Sequence, residues 1–239
     1  MDSKKRMSAE TKQIIESSII AVSSSFPVLS SLAAGWNEYK NYKQVENIKE
    51  ILEAFAKKLT EINKRLDFEF LRTEDAKRLV EQALMVGKDQ INKSMRGYIS
   101  EFLANASTIA FSKDPEKQMV LETISRLSEF QIKLLVTITK NLIYYEGHEQ
   151  VLLGVDFDSK IHKIKYIYEK DLIDIHKSNA SKLNIEASLD YMMSLGIIET
   201  GTPRYLTDIG DRGFRPTKLG IKTLEYLGYY IKDAKTNIS

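Results

Sequence analysis

Three histidines, a scatter of aspartates and a short basic cluster are the side chains of this 239-residue sequence best suited to chemistry. His148, His162 and His176 have no second ligand at the spacing that puts two on one helix face, and no cysteine exists to complete a metal set. Isolated on polar stretches, they read as surface residues. Asp156, Asp158, Asp171 and Asp174 lie close in sequence but lack the glycine-centred loop of a calcium site, and read as solvated charges. Asp171 and Asp174 with His176 are the set that folding could gather into an acid–base group. No P-loop, dinucleotide fingerprint or nucleophile elbow is present. The expectation is a non-enzymatic protein with no catalytic residue, cofactor, metal or small-molecule substrate.

The basic cluster is Arg204, Arg212, Arg215 and Lys218. Cations of this kind suit a nucleic-acid backbone. Asp208 and Asp211 sit among them, however, and Glu186 and Asp190 lie on the helix expected just ahead. Carboxylates facing phosphates oppose binding, and a net charge of +2 supplies no overall attraction. Nucleic acid is therefore the disfavoured partner. The tyrosines from Tyr144 onward, among them Tyr144, Tyr145, Tyr229 and Tyr230, suit a protein interface or a core edge with hydroxyls in water.

Helices must position these groups. Four prolines and 11 glycines, with 43% hydrophobic and 28% charged residues, favour long uninterrupted helices over a turn-rich β protein. Val45, Ile48, Leu52, Phe55, Leu59, Ile62 and Leu66 recur at spacings of three and four, which is the a/d seam of three heptads. Neither proline nor glycine interrupts 37–68, so one long amphipathic helix is expected there. Its seam packs within the chain or serves self-association. A second helix is expected over 75–106, with Gly87 and Gly97 at close helix contacts. Asp114 and Pro115 open a third helix running to about Leu127. Ser128 and Gln131 have the spacing of a capping box and open a fourth over 129–144. Beyond Gly147 the periodicity fades, and a connector or short strand is expected over 151–157.

One stretch stands apart: between Glu16 and Glu38 there is no charged residue. Its length could span a bilayer. Seven serines in those 21 residues, and Pro27 near the middle, favour a buried helical hairpin instead. Ile19, Ile20, Phe26, Leu29, Leu32 and Trp36 are its contact residues, and Ile19, Phe26 and Leu32 are expected against the 45–66 seam. A membrane-meeting segment and a partner surface are the alternatives. The basic start is followed by Glu10, Glu16 and serine-broken apolar sequence, so the expectation is a cytoplasmic rather than a secreted protein.

Towards the C-terminus, Asn184 is expected to cap a helix carrying Ile185, Leu189, Met192, Met193 and Leu195, which Gly196 stops in a left-handed conformation. Strands are expected at 197–200 and 204–207, a tight turn at 210–213, and a closing helix from Lys218 to about Ile231. Helix, "SLGIIE", hairpin, "RPTKLG", helix resembles the cadence of a winged helix over 183–230, with 129–143 as its first helix. The stretch 147–179 is then an insertion.

The expected architecture is mainly α: an N-terminal helical bundle with long amphipathic helices, then a small winged-helix-like α+β module. Residues 1–110 form the bundle, 111–150 the linking helices, with 128–144 open to assignment to the next unit, and 151–239 the winged-helix-like domain. With "YISEFLANAST" at 98–108, "ISRLSEFQIKLLVTI" at 124–138 and "YMMSLGIIE" at 191–199, the chain resembles bacterial abortive-infection alpha-type (Abi-alpha-like) helical proteins. The resemblance implies a bacterial antiphage-defence or stress-associated interaction protein that acts through a protein partner or as a homo-oligomer. Two other functions stay open. One is a winged-helix transcriptional regulator with 36–106 as dimerisation helices. The other is an effector whose uncharged segment enters a membrane in a triggered state.

Overall fold

The structure, a computed structural model, describes residues 42–144, 167–201 and 212–229. These residues are mainly helical, with eight α-helices and a three-stranded antiparallel sheet among them. The chain divides into two compact units between Arg126 and Leu127, and Tyr226–Gly228 belongs with the first. The helix opened by Ser128 therefore falls in the second unit.

In the first unit, α1 (Tyr42–Glu61) buries Val45, Ile48, Ile51, Leu52, Phe55 and Leu59, one face of the helix at spacings of three and four. Each such side chain contributes about 1.5–3 kcal/mol when fully removed from water. The helix is shorter than its apolar pattern. The exposed run Asn63-Lys64-Arg65 has nothing to bury and makes a 3-10 turn. Leu66 is buried from an extended segment bridged to Thr108, with Ile109 N donating to Arg65 O at 2.9 Å and Asp67 N to Ser107 O at 2.9 Å.

The single helix expected over 75–106 is two: α2 (Glu74–Gly87) and α3 (Lys93–Ala106). Each has its own cap. Thr73 Oγ1 accepts from Ala76 N at 3.2 Å and Asn92 Oδ1 from Ser94 N at 2.8 Å. Side chains hold the intervening loop by its carbonyls. Asn47 Nδ2 donates to Lys88 O at 2.7 Å and Gln90 O at 3.2 Å, while Arg96 Nη1 donates to Gln90 O at 2.7 Å and Ile91 O at 3.1 Å. Gly87 is a close-contact position, since a Cβ there would lie 2.2 Å from Ile51 Cδ1. Gly97 is not, with nothing within 4 Å of the same point.

The main partner of α1 is α3 rather than its sequence neighbour α2. Arg96 pairs with Glu50, Ser100 Oγ donates to Ile51 O at 3.0 Å, and Lys58 pairs with Glu101. A fourth helix, α4 (Lys117–Arg126), buries Val120, Leu121 and Ile124. The Tyr226 ring is buried beside Phe102 and Phe111, at centroid distances of 5.2 and 4.5 Å, and its hydroxyl donates to Asp114 Oδ2 at 3.0 Å.

The second unit opens with α5 (Glu129–Tyr144), capped reciprocally: Gln131 N donates to Ser128 Oγ at 3.2 Å and Ser128 N to Gln131 Oε1 at 2.8 Å. Then follow β1 (Ile167–Tyr168), α6 (Glu169–His176), α7 (Lys182–Ser194), β2 (Ile198–Gly201), β3 (Gly213–Pro216) and α8 (Lys218–Tyr226). β3 is the middle strand of the sheet, antiparallel to both neighbours, with Ile167 and Thr200 both opposite Phe214.

Several expectations change here. The stretch read as an insertion supplies β1 and α6. The closing helix ends at Tyr226 rather than near Ile231, and Phe214–Pro216, expected as a lead-in to that helix, lies in the central strand. Pro216 is the last residue of that strand, opposite Ile198 of β2. Ser181, not Asn184, caps α7, its hydroxyl accepting from Asn184 N at 3.3 Å. The strand expected at 204–207 and the connector at 151–157 lie outside the described residues.

The end of α7 is a Schellman motif. Gly196 has φ +69°, its N–H donates to Met193 O at 2.9 Å, and Ile197 N donates to Met192 O at 3.2 Å. α8 is fastened to this turn. Thr217 N donates to Ile197 O at 3.0 Å, Thr217 Oγ1 donates to Gly196 O at 2.6 Å and accepts from Gly220 N at 3.2 Å.

Candidate interaction face

α7 is anchored from one side only. Ile185, Leu189 and Met192 are fully buried, at spacings of four and three. Leu183, Ala187 and Tyr191 follow one another at four-residue steps along the opposite side. Leu183 is 72% exposed and Tyr191 39% exposed, and Ala187 is exposed between them. Glu186 and Asp190 run along one edge of this apolar stripe, and Asn184 and Ser188 along the other. Sequence periodicity finds the buried face of α7. The signal for the second face is that Leu183 and Tyr191 do not fit the buried pattern and sit eight residues apart.

The carboxylates on the acidic edge are engaged. Glu186 pairs with Lys182 at 3.6 Å. Asp190 Oδ1 accepts from Arg212 Nη1 at 2.5 Å, and Glu169 Oε2 accepts from Arg212 Nε at 2.7 Å. The Arg212 carbonyl accepts from Glu169 N at 2.9 Å, and the guanidinium lies 5.4 Å over the Phe214 ring. The Glu169 hydrogen bond raises the Arg212 pKa above its ordinary value, burial opposes it, and the Asp190 hydrogen bond adds a smaller increase. Of the other residues expected at a nucleic-acid backbone, Arg215 pairs with Glu199 directly across the sheet at 2.7 Å, and Lys218 is exposed at the start of α8. Arg204 lies outside the described residues. No protein-family model, no curated protein and no solved structure matches this chain.

The seam considered for self-association faces inward. Val45, Ile48, Leu52, Phe55, Leu59 and Leu66 are buried within the first unit, and Ile62 is half-buried. The hairpin or membrane residues Ile19, Ile20, Phe26, Leu29, Leu32 and Trp36 lie outside the described residues. Among the described residues no helix is long and apolar enough to cross a membrane, and no group of three acidic or histidine side chains could hold a metal ion.

His176 departs from its expected surface position. It is buried one helical turn after the fully buried Leu172, with Nε2 3.0 Å from Thr137 Oγ1 and its ring edge-on to Phe130. Asp174 is exposed and pairs with Lys177 at 3.7 Å. The His176 ring nitrogen is thus turned to Thr137 on α5, and Asp174 is engaged elsewhere. Burial lowers the His176 pKa below its ordinary value of 6.5. The unfolded chain then binds the proton more readily than the folded one. This stabilisation is full above pH 6.5 and declines as the pH falls from there towards the lower folded pKa. Thermal melts at about pH 7.5 and about pH 5.5 will show a lower midpoint at the acid pH, and His176→Gln will narrow the gap.

Proposed function

We propose that the second unit is a winged-helix module used for protein contact, in a non-enzymatic bacterial interaction or effector protein of the antiphage-defence or stress type. Its element order, helix–strand–helix–helix–strand–strand, with the third strand central, is what supports the winged-helix reading. The observation that carries the protein-contact reading is the outward face of α7. In a nucleic-acid reader this helix would enter the major groove. Here it offers Leu183, Ala187 and Tyr191 with carboxylates along one edge, and the nearby Arg212 is held by Glu169 and Asp190. An apolar stripe with an aromatic anchor fits a protein surface, whereas an acidic edge works against phosphate. The resemblance to abortive-infection alpha-type proteins supports the defence setting. Any self-association in this reading uses a surface other than the Val45–Leu66 seam, which is spent inside the first unit.

The test is phage plating with and without the gene, across a broad panel, together with the double variant Leu183→Asp/Tyr191→Asp. Leu183 is the more exposed of the two, and an unchanged unfolding midpoint is the condition for reading the variant. Reduced plating by the native protein that the variant restores is the expected result. Unchanged plating across the panel overturns the defence role, and a fully active variant overturns the role of α7.

A further inference from the structure

We infer that Asp190 keeps the α7 face closed to nucleic acid, by holding the Arg212 guanidinium with Glu169 and placing a carboxylate where a phosphate would have to approach. The inference rests on the reading of α7 as a helix for protein contact.

Arg212 stands at the entrance to β3 beside the acidic edge of α7. In a winged-helix unit that is a natural position for a cation that grips a phosphate, and arginine suits the role because its fork can make two hydrogen bonds at once. Two of its five donors are engaged. Nε donates to Glu169, whose side chain is only 12% exposed, and Nη1 donates to Asp190, whose side chain is 57% exposed. The tie to Glu169 is shielded and joins β3 to the start of α6. The tie to Asp190 faces water, where an ion pair contributes little to folding. Asp190 nevertheless occupies the donor that points towards α7. Glu186, one turn earlier on the same edge, adds a second negative charge. A phosphate reaching for Arg212 from the α7 side would meet the Asp190 carboxylate and lie near that of Glu186. The exposed partner is thus the one that a substitution can remove without disturbing the fold, and the one whose loss changes what Arg212 can bind.

The experiment measures fluorescence anisotropy of a labelled random-sequence DNA duplex, titrated with full-length protein at low and rising salt. The proteins are the native chain, Asp190→Asn, Asp190→Ser and Asp190→Asn/Arg212→Gln, each checked for an unchanged unfolding midpoint. The native chain is expected not to bind. Both single variants are expected to bind within the titrated range, at least about tenfold more tightly than the limit set by the native chain, with a salt dependence close to that of one phosphate contact, a log–log slope of about −0.9. The double variant is expected to lose that gain. Folded single variants that bind no better than the native chain overturn the inference and leave the protein-contact reading standing. So does a gain that survives Arg212→Gln. Native binding that depends on Arg212 overturns the protein-contact reading as well.

Discussion

Replacing Gly220 by alanine will destabilise the second unit by about 3 kcal/mol or more. Helix propensity alone gives the opposite sign, because alanine is better than glycine in a helix by about 1 kcal/mol. The surroundings reverse it. A Cβ on Gly220 would lie 2.1 Å from Ile197 O and 3.1 Å from Ile197 C, with Leu135 Cδ1 at 3.5 Å. The first two are backbone atoms and cannot rotate aside. Ile197 O also accepts from Thr217 N, so making room means lifting α8 off the turn that holds it. Gly97→Ala is the control. The same methyl there meets nothing within 4 Å, so propensity governs and stability will rise by about 0.5–1 kcal/mol. Urea denaturation of both variants, followed by helical circular dichroism, separates the two signs. An unchanged or higher midpoint for Gly220→Ala would mean that α8 does not pack on Ile197 in this way.

Arg96→Leu is the second large effect, at about 2–3 kcal/mol. The Arg96 side chain is 10% exposed and makes four hydrogen bonds. Nε and Nη2 go to Glu50 Oε2 at 2.9 and 2.7 Å, and Nη1 goes to the carbonyls of Gln90 and Ile91. Leucine would fill part of the space, leave the Ile91 carbonyl and the Glu50 carboxylate without this donor, and leave the Gln90 carbonyl to Asn47 alone. Glu50 is 44% exposed, so water recovers part of its loss, which keeps the figure below that of a fully buried pair. Arg96→Lys retains the charge but not the fork and will recover less than half. The same denaturation curves measure this. Full stability in Arg96→Lys would show that charge alone matters at this position.

The helices were legible where local chemistry decides them. The spacing from Val45 to Leu59 marks a buried face, the Ser128 and Gln131 side chains cap each other, and Gly196 stops α7, all from residues within a few positions of one another. What could not be read depends on partners far away in sequence. Ile167 and Tyr168 are in a strand because Phe214 and Gly213 lie opposite them. β3 ends in proline, a poor strand residue, and is a strand because Ile198–Gly201 pairs along it. The break at 88–92 interrupts an apolar pattern that continues on both sides, and it is held by Asn47 and Arg96, each more than two helical turns from at least one group it binds or on another helix. Of the candidate residues, the buried face of α7 was legible and the outward stripe was not, since a period of 3.6 says which residues align but not which side the protein covers. His176 was misplaced for the same reason: Leu172 four residues earlier shares its face, but only the fold shows that this face is the inner one.

The loop between α2 and α3 combines two properties that rarely coincide. Asn47 and Arg96 fix its backbone, yet Ile91 within it is 80% exposed. The chain contains no cysteine. A thiol introduced at Ile91 would therefore be the sole attachment point for a spin label or fluorophore, carried on a mount that does not swing with the probe. Distances measured from it would report the movement of whatever approaches, not the wander of its own tether.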